Sequence, residues 1–370
     1  MISSIQIDGY RGFRKFEMAD LGRINLLVGT NNCGKTSVLE ALHLLMSRGD
    51  PIALWQLLWR RGERIPGVAN PRRPEAELDV CHLFSGHETH TGSRLVISAK
   101  NQSPERMVSL TVGELGAKDR SELAASGEHG TIPSRLALHI KGTPSPPVPT
   151  LPLTRSGGMS TDTLDISPRR PRRRASEENP SQFITTESLD SDDLVSLWDK
   201  VALTPNEDLV LRALRFLDPD IERIASQATT QGYYSAFRGG FIIKRRGLDH
   251  PIPIGSMGDG MWRMMAMAIA ITQCRGGVLL VDEIDTGLHY TVMSDMWKLI
   301  FGAARVLDVQ VFATTHSSDC IKSLAEGCMD DLFDAGNQVT VQRIEPGKPI
   351  AVPYTQSEIM MATEKMIEVR

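Results

Sequence analysis

The chain has 370 residues, 41% hydrophobic and 23% charged, with a formal net charge of −4. That is enough apolar material for one large domain or two smaller ones; it is too little positive charge for the surface as a whole to bind nucleic acid, so such contact must come from a local patch. Five cysteines without C-x-x-C spacing speak against a disulfide framework and a zinc site; with no apolar run near 18 residues and no leader pattern in MISSIQIDGYRGF, a soluble protein of the reducing cytoplasm is expected.

The opening ISSIQIDGYRGFRKFEMADLGRINLLVG alternates apolar and polar residues and breaks at Gly9 and Gly12, as antiparallel strands would. Ile24–Val28 then predicts a buried strand, and Val38, Leu39, Leu42, Leu45 and Met46 mark one face of a following helix. Between them, Gly29-Thr-Asn-Asn-Cys-Gly34-Lys35-Thr36 fits G-x-x-x-x-G-K-[ST] without mismatch. Such a loop folds backbone N–H groups around phosphate oxygens, with Lys35 neutralising charge and the Thr36 hydroxyl available to Mg²⁺. Residues 93–99, 106–112 and 135–140 predict further strands of an antiparallel layer.

From 141 to 182 the composition changes: 8 of the 21 prolines fall between 144 and 180, and a disordered surface insertion is expected. Within it RRPRRR, 169–174, sets five arginines that could contact nucleic-acid phosphates or simply be a solvated loop. Two helical patterns follow in DSDDLVSLWDKVALTPNEDLVLRALRFLDPDIERIAS, and then GYYSAFRGGFIIKRR, 232–246, a hairpin around Gly239-Gly240. Beyond it come a glycine loop, a helix at about 261–274, a strand at 278–282, a helix at about 290–306, a strand at 309–314 and another helix. That alternation implies a parallel sheet with helices packed on it.

Three stretches here carry chemistry. In GGVLLVDEIDTGLHY an apolar strand ends in Asp282, placed for Mg²⁺, and Glu283, which can orient or deprotonate a water, unless both only cap the next helix. Ser256, Gly258 and Gly260 open a helix and make either a plain N-cap or a second anion site, which would invite a second subunit's nucleotide. His316, in VQVFATTHSSDCI, is either a structural group or one able to reach a γ-phosphate from the same sheet edge.

In this order, IQIDGYRGFRKFE, INLLVGTNNCGKT, the glycine loop, VLLVDE, TGLH and TTHS resemble the ABC-type ATPases of the SMC, RecF and OLD (overcoming lysogenization defect) group. The resemblance covers about 1–48 and 190–325. It implies an α/β ABC-type ATPase head with a parallel core sheet flanked by helices, an antiparallel layer and the insertion. On that reading the first part of the head is 1–140, the insertion 141–182, and a helical segment with the second part of the head 183–370. It further implies a homodimer or higher oligomer in which two subunits sandwich ATP and Mg²⁺. Asn31 to Thr36, with Asn32, Gly34, Lys35 and neighbouring Ser37, correspond to the Walker A loop. Asp282 and Glu283 correspond to the Walker B pair, Gly287, Leu288 and His289 to the D-loop, His316 to the switch histidine and Ser256 to Arg263 to the signature loop. The L-S-G-G-Q signature is absent, and Gln56, Gln102 and His82 all stand as Q-loop candidates. No heptad arm is present, and the 50 or so residues after TTHS are too few for a Toprim nuclease. The expected function is therefore an ATP-hydrolysing switch acting on a separate effector such as a nuclease, in DNA repair or phage defence, with DNA as a further candidate partner and no membrane. The alternative is an ATP-holding scaffold without useful turnover.

Overall fold

The computed structural model describes residues 1–65, 77–100, 105–116, 133–143, 150–160, 180–227, 240–329 and 338–365. It is an α/β fold with a mainly parallel sheet flanked by helices and a separate antiparallel sheet. Strands β1 (Ser4–Tyr10), β2 (Phe13–Met18), β5 (Arg94–Lys100), β6 (Arg106–Glu114), β7 (Pro133–Thr143) and β8 (Leu151–Thr154) form an antiparallel sheet in the order β2-β1-β5-β6-β7-β8. A second sheet has the order β10-β14-β15-β3-β16-β17, from β3 (Ile24–Val28), β10 (Ser181–Ile184), β14 (Val278–Val281), β15 (Gln310–Thr314), β16 (Val339–Arg343) and β17 (Val352–Thr355). Its first five strands are parallel and β17 closes the edge antiparallel to β16.

The parallel strands are apolar on both faces because both are covered. Ile24, Leu26, Leu279, Val281, Val311 and Ala313 pack toward helices α3 (Ser191–Trp198), α4 (Glu207–Arg215), α5 (Asp259–Thr272), α6 (Met293–Val306) and α7 (Ser318–Met329). Leu27, Val278, Leu280 and Phe312 face the other way, toward α1 (Lys35–Met46) and the antiparallel sheet. The alternation is the period-2 pattern of a strand, read here from two cores instead of one core and solvent. Two buried amides lock the central strand. Asn25 donates to the Gly22 and Val311 carbonyls and accepts from Gly22 N–H and the Thr340 hydroxyl. Gln310 spans the Ile2 N–H and carbonyl and the Gly22 carbonyl.

Several expectations are corrected. The 141–182 stretch is not wholly outside the core: Leu151, Leu153 and Met159 are buried, on β8 and on β9 (Gly158–Met159), which pairs with β4 (Leu78–Asp79). β10 then begins at Ser181 and pairs with β14. The arginine tract 169–174 lies outside the described residues. The second helical pattern stops at Arg215, and Ile221–Ser226 is β11, the antiparallel partner of β12 (Phe241–Arg245). The expected hairpin turn up to Gly239 falls outside the described residues. A helix the sequence reading passed over, α2 (Pro51–Arg60), starts with proline at N1 and an Asp50 cap accepting Ile52 N–H at 2.9 Å. No described helix is long and apolar enough to cross a membrane.

Candidate functional site

Five parallel strands send their C-terminal ends to one edge, and the sequence-predicted phosphate loop lies there between β3 and α1. Gly29 and Gly34 have φ of +140° and +104°. A Cβ at Gly29 would strike the Ile344 carbonyl, and one at Gly34 the ring of Phe13, so neither position admits a side chain. Asn31 and Asn32 are exposed, leaving the outer loop open to a ligand. Lys35 is folded inward, with Nζ donating to the Gly29 and Thr30 carbonyls at 2.9 Å each and lying 3.5 Å from His316 Nδ1. Burial lowers its pKa, against the opposing pull of Cys33, Asp282 and Glu283. A phosphate in the loop would give that ammonium a charged acceptor in place of two carbonyls.

Next to it the Thr36 hydroxyl is 3.1 and 3.0 Å from the two Asp282 oxygens. Cis ligands of an octahedral Mg²⁺ stand about 2.9 Å apart when each is about 2.05 Å from the ion. The pair therefore fits Mg²⁺, and its geometry needs almost no adjustment to hold it. Asp282 is 7% exposed and steadied by the Thr314 hydroxyl, which donates to Oδ1 at 2.6 Å and accepts Glu283 N–H at 2.8 Å. Glu283 takes φ +46°, a left-handed value that a non-glycine residue holds only when its surroundings enforce it. The turn throws its side chain outward, 43% exposed, with Oε1 4.0 Å from His316 Nε2 and Oε2 accepting from Thr286 at 3.3 Å. Buried Asp282 and exposed Glu283 are thus adjacent in sequence and distinct in environment: one suits a cation, the other a water.

Lys35, Thr36, Asp282, Glu283 and His316 lie together at this edge. Ser37 is buried one residue further along α1, within 3.5 Å of Arg61 Nη2. Ser256 and Gly258 are exposed in a different place, on a cleft shared by Ser256, Gly260 and the Gly287–His289 segment. Gly260 fits closely there, since a Cβ would lie 2.8 Å from the Gly287 carbonyl. Arg263, the last residue of the stretch expected to form the signature loop, does not face outward at all. It is 3% exposed and donates to the Asp282 and Glu283 carbonyls at 2.5 and 3.0 Å and to the Thr185 carbonyl. Burial pushes its pKa down to about 10 against the pull of Asp282, Asp285 and Glu283. It ties α5 to the acidic strand end.

The three Q-loop candidates fare differently. Gln56 lies on α2, His82 in the turn Val80–Leu83, and Gln102 outside the described residues. The sequence reading missed β10 altogether; Thr185, Thr186 and Glu187 follow this strand, which is hydrogen-bonded to β14, with Asp282 N–H donating to the Ile184 carbonyl at 2.8 Å. The short apolar run in SQFITTES was its only signal.

Comparison with known proteins gives matches to family models, to curated relatives and to solved structures. The family model of the AAA ATPase domain matches residues 1–200. A second AAA domain model, whose description refers to an AbiEii toxin and a Type IV TA system, matches 167–319. An ATP/GTP phosphatase of Helicobacter pylori is 20% identical over 349 residues, 88% of this chain and 87% of that protein. An uncharacterized protein of Methanocaldococcus jannaschii is 41% identical over 66 residues, 16% of this chain and 30% of that protein. Among solved structures, an SMC head bound to the C-winged helix domain of ScpA aligns at TM-score 0.49 and 14% identity, covering 97% of this chain and 99% of the other. The SMC head domain from Thermotoga maritima aligns at 0.45 and 10%, covering 96% and 98%.

Proposed function

The chain belongs to the family of AAA ATPase domains, and on that premise we propose that it is an ATP-hydrolysing switch of the ABC type, within the SMC, RecF and OLD group, controlling a separate effector. The observation that carries this reading is the convergence of Lys35, the Thr36–Asp282 pair, Glu283 and His316 on one sheet edge. The loop between β3 and α1 takes the triphosphate, and Thr36 and Asp282 hold Mg²⁺, which screens the phosphate charge. Glu283 orients the attacking water and accepts its proton, and His316 reads the γ-phosphate. The exposed Ser256–Gly260 loop sits apart from this centre, which supports a composite site that a second copy of the chain completes.

The Helicobacter pylori relative's description as an ATP/GTP phosphatase agrees with turnover, and the second family model's reference to an AbiEii toxin and a Type IV TA system agrees with a defence setting. A scaffold that merely holds nucleotide would have no use for an outward carboxylate kept at a left-handed φ. Glu283→Gln is the decisive variant. ATP affinity should hold while turnover drops roughly 100-fold, and an ATP-dependent dimer should accumulate in light scattering. Turnover at the wild-type rate would sink the assignment.

A further inference from the structure

Away from the nucleotide end, the turn Val80–Leu83 after β4 gathers side chains that phosphate chemistry does not use. Asp79 caps the turn by accepting Cys81 N–H at 2.9 Å, which holds its carboxylate over Cys81 and His82. Ligand atoms of Asp79, Cys81 and His82 lie within 4.8 Å of one another, all three residues partly exposed. His82 Nε2 is 3.8 Å from Asp79 Oδ2. On the opposite side of the same ring, His82 Nδ1 lies 3.1 Å from His87 Nδ1.

We propose that Asp79, Cys81 and His82 bind a divalent transition metal, zinc by the chemistry of the donors, with His87 as the outer partner that orients His82. A thiolate, an imidazole and a carboxylate together suit zinc, whereas Mg²⁺ and Ca²⁺ select oxygen. Tetrahedral zinc separates its donor atoms by roughly 3.3–3.6 Å, so the Asp79–His82 spacing needs only slight closing. The two histidines fix the rest. One of the facing Nδ1 atoms must donate to the other, and when His82 donates, its Nε2 lone pair points at a carboxylate oxygen. In that tautomer a cation between the two acceptors satisfies both, and a metal-bound histidine whose second N–H is held by an outer acceptor is the common arrangement; in the other, with His87 donating, His82 Nε2–H faces the carboxylate directly. The partial exposure leaves a fourth position for water.

The site is built into the fold rather than hung on a loop. Asp79 N–H donates to the Glu63 carbonyl at 2.9 Å and Arg11 N–H to the Leu83 carbonyl at 3.0 Å. Bound metal would therefore brace the strand beside the buried Arg11–Glu63 pair. A thiol ligates zinc only as the thiolate, so binding has to expel the Cys81 proton. One cysteine in D-x-C-H-x-x-x-x-H is invisible to a search for C-x-x-C, which is why the cysteine spacing argued against zinc.

The test uses the full chain, stripped with chelator and titrated with Zn²⁺ in millimolar Mg²⁺, which occupies Thr36 and Asp282. Binding of about one equivalent is expected, with proton release. Affinity should fall on the order of 100-fold in Cys81→Ser and in His82→Ala and about 10-fold in His87→Ala. Cobalt substitution reports the ligand itself: thiolate-to-Co²⁺ charge-transfer absorption should be present in the wild type and missing in Cys81→Ser. Lys35→Ala should bind zinc like the wild type, so this proposal stands or falls apart from the ATPase reading. Absence of stoichiometric binding, or an equivalent of zinc that neither Cys81→Ser nor His82→Ala weakens, would overturn it. So would cobalt binding without the charge-transfer band in a wild-type chain.

Discussion

The two six-stranded sheets are built from similar apolar strands yet carry different loads. In the parallel sheet five strands end at the same edge, so the loops after β3, β10, β14 and β15 place Lys35, Thr185, Asp282 and His316 around one point. In the antiparallel sheet successive strands end at alternate edges. Its contribution is to hold the phosphate loop from behind. Phe13 roofs Gly34, and Glu40, one turn along α1, is gripped by Arg11 at 2.8 Å and Arg61 at 2.7 Å, with Arg11 also paired to Glu63 at 2.5 Å. Direction of strands, more than their composition, separates a chemical edge from a supporting one.

The largest test of that division is on the supporting side. Glu40→Ala leaves buried Arg11 without its central partner and should cost about 3 kcal/mol of stability, measured as a lower urea midpoint, while the folded fraction still hydrolyses ATP with a near-normal kcat. A collapse of kcat in the folded fraction would show that the supporting layer takes part in the chemistry. Lys35→Ala is the converse: about 100-fold weaker ATP binding by calorimetry, with the urea midpoint almost unmoved. His43, also on α1, lies between the two sheets' territories, its ring 5.7 Å from Phe183 of β10 and both ring nitrogens shielded and unpaired. Burial, then Arg60, lowers its pKa to about 4. The folded state thus binds fewer protons than the unfolded chain, and stability is complete above pH 6.5 and declines as the pH falls toward 4. The difference should be about 3 kcal/mol over that window, and His43→Leu should flatten it in pH-dependent melting curves. The smallest effect belongs to Thr314→Val, which keeps the shape but removes the hydroxyl steadying Asp282. About a tenfold rise in the Mg²⁺ needed for half-maximal turnover is expected; unchanged Mg²⁺ dependence would remove Thr314 from the site.

What the sequence disclosed follows from how local each signal is. The phosphate loop is legible because backbone wrapping demands glycine at Gly29 and Gly34, and β14 because four apolar residues end abruptly in Asp282 and Glu283. β11 was misread because Ile221-Glu-Arg-Ile-Ala-Ser continues a helical spacing across Pro219, and only its pairing with β12 decides for a strand. β10 was lost at the tail of a proline- and arginine-rich stretch, since its placement beside β14 is a tertiary fact. Arg263 stands in an apolar helix, and nothing in its neighbours along the chain tells that its guanidinium turns back to three carbonyls. The α2 cap, by contrast, was written plainly in Asp50-Pro51.

The central strand has a consequence for how the protein is made. β3 is flanked by β15 and β16, and Asn25 reaches partners 286 and 315 residues away. A ribosome adding 5–20 residues per second takes roughly 15–60 s to supply the first of them. For that interval Ile24–Val28 is a hydrophobic strand with two open edges, the kind of segment that invites wrong partners. Nucleotide cannot rescue it, because the loop that would grasp the phosphates is anchored to a strand still waiting for its neighbours. ATP therefore acts on a finished molecule, and a truncated product ending before β15 should be a client for chaperones rather than a small ATPase.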